Sequence, residues 1–142
     1  MKVKIFRIDK SLPLPEYKTK GSVAFDIYSR VDATVSPKAI ETFPTNLIVK
    51  VPVGYILMIV ARSSTGKKKG LSMANGVGVI DQDFHGSEDE IKILFRNFTD
   101  QKVIVKKGER IAQGLILPIE KAEWEEVEEM TGKSRGGFGS TG

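Results

Sequence analysis

Short runs of apolar, β-branched and aromatic residues recur along the chain between clusters of Pro, Gly, Asn, Asp and Ser, a rhythm that predicts strands. The runs are Val3–Ile8, Phe25–Ser29, Ile40–Phe43, Leu47–Val51, Tyr55–Ala61, Glu90–Phe98, Val103–Val105 and Ile111–Ile119. Pro13, Pro15, Pro37, Pro44 and Pro52 fall between them, where a missing backbone N–H does least harm. No stretch of helical period is long and apolar enough for a core helix, so an all-β domain is expected. Glu120–Met130 fits either a short acidic helical turn or a solvated strand, and Trp124 within it is expected to be a packing anchor. There is no internal repeat and no interior linker.

A chain of 142 residues is one domain, large enough to bury a core without disulfides or a structural metal. It has no cysteine and one histidine, His85, which excludes zinc sites built on Cys and His as well as cysteine nucleophiles. His85 itself reads as a solvated loop residue rather than a catalytic base. The charged start and the lack of about 18 consecutive apolar residues lead us to expect a cytoplasmic protein without a membrane partner. The net charge of +4 favours polyanionic partners, but the acids concentrate between Glu120 and Glu129. Phosphorylated small molecules satisfy that balance as well as nucleic acid does.

Four interior segments carry unusual polar content. In Ala24-Phe-Asp-Ile-Tyr28, Asp26 interrupts an apolar strand, and a buried carboxylate must either cap a turn or face a site. In Ala61-Arg-Ser-Ser-Thr-Gly66, followed by Lys67-Lys-Lys-Gly70, a strand ends in a guanidinium, three hydroxyls and a glycine, a mixture that suits phosphate oxygens or an ordinary polar turn. Asn75 to Gly86 reads as a hairpin with backbone open to a ligand; Asp81 at its apolar end can orient or deprotonate a water. Asn75 offers a donor and an acceptor to a base edge, and Phe84 a ring to a sugar. In Gly108-Glu-Arg-Ile-Ala-Gln113, Glu109 and Arg110 suit a structural pair, and Gln113 projects an amide toward a phosphate or a metal-bound water. Ser87 to Glu90 reads as an acidic surface turn.

Residues 131–142 combine Lys133, Arg135, five glycines, hydroxyls and Phe138. Glycines admit an anion close to backbone N–H groups, the cations supply charge, and the ring can lie on a base. A low-complexity terminus, or a segment that touches RNA nonspecifically, has the same composition.

Taken together, these segments closely resemble the five motifs of the trimeric dUTPase (deoxyuridine 5′-triphosphate nucleotidohydrolase) family, in family order over residues 22–142. The matches are Ser22–Ser29, Ala61–Ser64, Asn75–Gly86, Gly108–Gln113 and Arg135–Gly142. The resemblance implies a distorted jelly-roll-like β-barrel, residues 1–130, with a flexible glycine-rich tail, residues 131–142, that closes over the site. It also implies a homotrimer with active sites at subunit interfaces. The implied reaction is hydrolysis of dUTP to dUMP and pyrophosphate, which limits uracil incorporation into DNA and supplies dUMP for dTMP synthesis. By similarity Asp81 orients the water that attacks the α-phosphorus, and Arg62, Ser63, Ser64 and Gln113 hold the triphosphate. Asn75 and the backbone of Gly78, Val79 and Ile80 read uracil, while Phe84 blocks a ribose 2′-hydroxyl. Phe138 stacks on uracil, and Lys133, Arg135, Gly139, Ser140 and Thr141 seal the phosphates. Asp26 supports the site from behind. Mg²⁺ is carried by the phosphates and waters, with no direct protein ligand, and no stable nucleic-acid partner is expected.

The chain departs from the family pattern at Ala24, where glycine is usual, and at Phe84, where tyrosine is commoner. In the tail, Lys133 occupies the usual arginine position and Arg135 lies closer to Phe138. A dCTP deaminase, or a bifunctional deaminase and diphosphatase, shares the fold but uses a glutamate about three residues before an Asn; here Leu94 precedes Asn97. A nonenzymatic nucleic-acid-binding β-domain using the lysine run and the tail is the remaining alternative.

Overall fold

The computed structural model of the chain describes residues 1–137. The described residues form eleven strands and one short helix: β1 (Lys4–Arg7), β2 (Phe25–Tyr28), β3 (Ala33–Val35), β4 (Ile40–Pro44), β5 (Leu47–Lys50), β6 (Tyr55–Ala61), α1 (Thr65–Lys69), β7 (Leu71–Met73), β8 (Gly78–Ile80), β9 (Lys92–Asn97), β10 (Val103–Val105) and β11 (Arg110–Pro118). All pairings are antiparallel. The all-β expectation holds. The ladders divide into four sheets, ordered β2-β11-β6-β8, β4-β9-β7, β1-β5 and β10-β3.

Side-chain alternation explains why these sheets face one another. Along β9, Ile93, Phe95 and Asn97 are buried while Lys92, Leu94 and Arg96 face outward. Phe95 meets Phe43 of β4 edge-on, with ring centroids 5.6 Å apart, and Ile27, Leu57, Ile59 and Ile91 complete the same core. Where β11 pairs with β2, a Cβ on Gly114 would lie 2.7 Å from two ring atoms of Phe25, so glycine at this position leaves room for the ring to lie over β11.

The four-stranded sheet is less completely covered. Leu57 and Ile59 of β6 point into the core, but Ile56, Met58 and Val60 are only half-buried. Met58 lies directly across from Leu115 on one side and Val79 on the other, which makes an apolar row on the outward face.

Several expectations need correction. The turn after Asn75 does not join paired strands: β7 pairs with β9, whereas β8 pairs with β6. Residues 119–130 form neither a helical turn nor a strand, and Trp124 is 93% exposed, so within this chain it anchors nothing. Glu90 is not part of an acidic surface turn. It is buried, accepting hydrogen bonds from Arg30 Nε and Nη2, each at 2.8 Å, and from the Asn46 N–H at 2.8 Å. No helix among the described residues is long and apolar enough to cross a membrane.

Candidate active site

The register of β2, β11 and β6 assembles one end of the site. Gln113 on β11 stands opposite Asp26 on β2 and opposite Val60 on β6, one residue before Ala61 ends the strand and the chain turns into Arg62. Asp26 is 7% exposed, and a carboxylate at that depth needs compensating charge. Its Oδ1 accepts from Arg62 Nε at 3.0 Å and its Oδ2 from Arg110 Nη1 at 3.1 Å. The expected pairing of Arg110 with Glu109 is therefore absent. Arg110, the first residue of β11, reaches Asp26, while Glu109 in the turn before it pairs with Lys69 at 2.6 Å.

Among the described residues Arg62 donates only through Nε, so its two terminal nitrogens remain for a ligand. Ser63 is exposed, and Ser64 is the N-cap residue of α1 but its side chain makes no capping bond. The Gln113 amide is half-buried. A fixed guanidinium, two hydroxyls and an amide at the end of one sheet suit the oxygens of a polyphosphate.

The other end of the site lies on β8. This strand pairs only with β6, so its second edge presents backbone N–H and C=O groups without a strand partner. Asn75 is exposed ahead of it, its Nδ2 donating to the Val77 carbonyl at 3.2 Å. Asp81 follows the strand directly and is exposed, lining a cavity of about 320 Å³ with Ile56, Gln82, Asp83, Ile119 and Lys121. Gln82 holds this loop by donating to the Tyr55 carbonyl at 3.1 Å. Phe84 is partly exposed, and His85 is half-buried in a separate cavity with Lys2, Lys4 and Lys50. Lys121 beside Asp81 was not singled out by sequence, because it sits within a run dominated by glutamates.

The two ends do not meet within one chain. Ile80 pairs with Leu57 near the start of β6, whereas Arg62 follows its last residue, and at 3.3 Å per residue the six steps from Ile56 to Arg62 span about 20 Å. The structure thus gathers Asp26, Arg62, Ser63, Ser64 and Gln113 at one location and Gly78, Val79, Ile80 and Asp81 on another strand, with Asp81 remote from Arg62. Lys133 and Arg135 lie in an exposed segment without regular structure; Phe138, Gly139, Ser140 and Thr141 lie outside the described residues.

No group of three or more His, Cys, Asp or Glu among the described residues is placed to cage a metal ion. Asp81 and Asp83 nevertheless put hard oxygen atoms on the same cavity, which suit hydrogen bonds from the waters of a Mg²⁺ ion carried by phosphates.

The profile of the dUTPase family matches residues 10–142. The deoxyuridine 5′-triphosphate nucleotidohydrolase of Dictyoglomus turgidum is 40% identical to the chain over 148 residues, covering all of this chain and 99% of that protein. The enzyme of the same name from Corynebacterium glutamicum is 37% identical, covering 99% and 94%. Among solved structures, the dUTPase of Streptococcus mutans superposes with a TM-score of 0.78 at 31% identity, over 84% of this chain and 98% of that one. The Staphylococcus bacteriophage 80alpha dUTPase with dUPNHPP superposes with a TM-score of 0.87 at 27% identity, over 99% and 98%.

Proposed function

The chain belongs to the dUTPase family and hydrolyses dUTP to dUMP and pyrophosphate; from that premise we propose that Asp81 of one copy and the Arg62 cluster of another act on a single substrate. The observation that carries this reading is the span of about 20 Å between the two groups along β6. A catalytic group and the atom it serves must come within about 3–3.5 Å. Two groups at opposite ends of one strand meet that condition only if a second copy supplies one of them. The half-open apolar row around Met58 gives such copies a surface to bury, and a homotrimer with three interfacial sites accommodates both features.

In the proposed reaction the Asp81 carboxylate orients a water at the α-phosphorus and receives its proton. The water oxygen bonds to that phosphorus, the bridge to the β-phosphate breaks, and pyrophosphate departs. Arg62, Ser63, Ser64 and Gln113 hold the triphosphate in line, so the protein acts chiefly by positioning and charge neutralisation. Asp26 fixes Arg62 through Nε and leaves the terminal nitrogens aimed at ligand oxygens rather than at solvent alone. Mg²⁺ held by the phosphates and waters neutralises charge on the triphosphate when bound.

Selectivity follows from the other end of the site. Asn75 and the open edge of β8 at Gly78, Val79 and Ile80 pair with uracil as a complementary base would, and Phe84 leaves no room for a 2′-hydroxyl. Residues 131–142 then close as a lid, with Phe138 on the base and Lys133, Arg135, Gly139, Ser140 and Thr141 on the phosphates. The deaminase alternative is not favoured, since both curated relatives above are nucleotidohydrolases and Leu94 stands where its glutamate would be.

Incubation with Mg²⁺ and, separately, dUTP, UTP, dTTP and dCTP, followed by chromatography of the products, tests the reading. Production of dUMP and pyrophosphate from dUTP alone is expected. Turnover of UTP would remove the role given to Phe84, and a uracil nucleotide from dCTP would restore the deaminase.

A further inference from the structure

The lysine run that follows Arg62 has no part in the reaction above, yet the fold places it in a defined groove. A cavity of about 520 Å³ lies between α1 and the turn after β9, lined by Lys67, Lys68, Lys102, Phe98, Thr99 and Gln101, with no carboxylate in its walls. Lys67, Lys68 and Lys102 are exposed, and none of them forms an ion pair among the described residues. The Phe98 ring is 47% exposed in their midst.

The groove is held rigidly. The Phe98 N–H donates to the Gly70 carbonyl at 3.0 Å, and its own carbonyl accepts from Lys38 Nζ at 3.0 Å. Gly70 adopts φ +65°, and a Cβ there would lie 2.1 Å from Thr99 Cγ2, so the end of α1 and the turn are in close contact. Beneath the turn, fully buried Asn97 donates to the carbonyls of Val35, Ser36 and Gln101 and accepts from the Thr99 N–H and hydroxyl. The backbone beside Phe98 is thus pinned from both sides while its ring stands in water.

Cations in the last turn of a helix favour its C-terminus, and that accounts for part of the run. It does not account for Lys102, which is on another segment, or for the ring between them. Charge on the body of the chain points the same way. Residues 120–130 hold six of the 18 acids and one of the 22 bases; the rest of the chain then has 12 acids against 21 bases, a net +9.

We propose that this groove binds single-stranded nucleic acid, with a base stacked on Phe98 and flanking phosphates on Lys67, Lys68 and Lys102. The pairing of an exposed aromatic platform with lysines along an open channel is what an unpaired strand requires, and it is sequence-tolerant because every base has a flat face. This contact is salt-labile and separate from dUTP hydrolysis, and it revises the expectation that the chain has no nucleic-acid partner only to the extent of a weak one.

Fluorescence anisotropy of a labelled oligothymidylate of about twenty nucleotides, titrated with the full chain from about 25 mM NaCl upward, tests the proposal. With three phosphate contacts per groove, log affinity is expected to fall against log salt with a slope of about −2. Phe98→Ala is expected to weaken binding about fivefold or more. The triple change of Lys67, Lys68 and Lys102 to Gln should abolish it, with dUTP turnover within about twofold of the parent in both variants. Lys133→Ala with Arg135→Ala should leave binding in place. No binding at the lowest salt overturns the proposal, and so does loss of binding in the tail variant instead of the groove variant. Equal displacement by poly-glutamate, with no effect of Phe98→Ala, would make the surface a dock for acidic protein and overturn it as well.

Discussion

If Asp81 and Arg62 reach one substrate from different copies, two inactive variants should repair each other. Asp81→Asn removes the group that directs the water, and Arg62→Ala removes the guanidinium held by Asp26; each is expected to lower dUTP turnover by about 100-fold or more. The two chains, mixed in equal amounts, unfolded together and refolded, would form mixed assemblies. In a closed assembly of this kind an intact Asp81 comes from one neighbour half the time and an intact Arg62 from the other half the time, so about one quarter of parental activity should return. Recovery at that level is possible because β6 separates the two groups by about 20 Å in a single chain. The pair Asp26→Asn and Arg62→Ala is the contrasting case. These side chains touch at 3.0 Å within one chain, so every site would carry one defect or the other and no recovery is expected. Pyrophosphate release measures the activity, and native mass spectrometry of chains with different tags verifies mixing. Mixed assemblies with no more activity than the separate variants would refute the two-copy site.

Deletion of residues 132–142 is expected to leave the β-sheet circular dichroism and the assembly mass intact while kcat/KM for dUTP falls about 100-fold or more; unchanged kinetics would deny the tail a role. Gly114→Ala adds a methyl 2.7 Å from the Phe25 ring and 3.1 Å from Leu57 Cδ1, and should destabilise by about 1–3 kcal/mol, read as a lower Tm by calorimetry; an unchanged Tm would show that the ring gives way freely. Burial works against the charge of Glu90, but hydrogen bonds from Arg30 and the Asn46 N–H outweigh it and hold the carboxyl below its ordinary 4.5. The stability this group contributes is therefore complete above that value and is lost as pH falls through the lower folded-state value. Glu90→Gln should cost about 2–4 kcal/mol at neutral pH and flatten the acid side of the Tm profile, and a profile parallel to the parent's would contradict this account.

The strands were legible where the apolar run was long enough to show a period. Tyr55–Ala61 and Val103–Val105 match their predicted bounds, and each of the other predicted runs overlaps an observed strand whose ends differ by a residue or two. Strands β3, β7 and β8 were not among the predicted runs: each is three residues that mix a small or polar residue with apolar ones, unlike the uniformly β-branched Val103–Val105, and each pairs with a distant strand. For Asp26, sequence indicated the need for a partner but not its identity, since the two arginines lie 36 and 84 positions away. Nearness along the chain misdirected the reading of Glu109 with Arg110 and of Glu90 with its acidic neighbours. In each case the tertiary packing of loops distant in sequence, rather than proximity along the chain, decides which charges meet. The hairpin reading of Asn75–Gly86 failed similarly: turn residues signal a reversal, but not whether the two flanking strands share a sheet.

The exposure of Trp124 has a spectroscopic consequence. It is the sole tryptophan in the chain, and it lies outside every sheet in the segment between the last strand and the tail. Indole emission from this protein therefore reports on the surroundings of that segment and is nearly blind to the melting of the core, where the aromatic rings are phenylalanines such as Phe43 and Phe95. A solvent-bathed indole emits toward the red. A blue shift on raising protein concentration or adding nucleotide would time the docking of the segment directly, with no label attached.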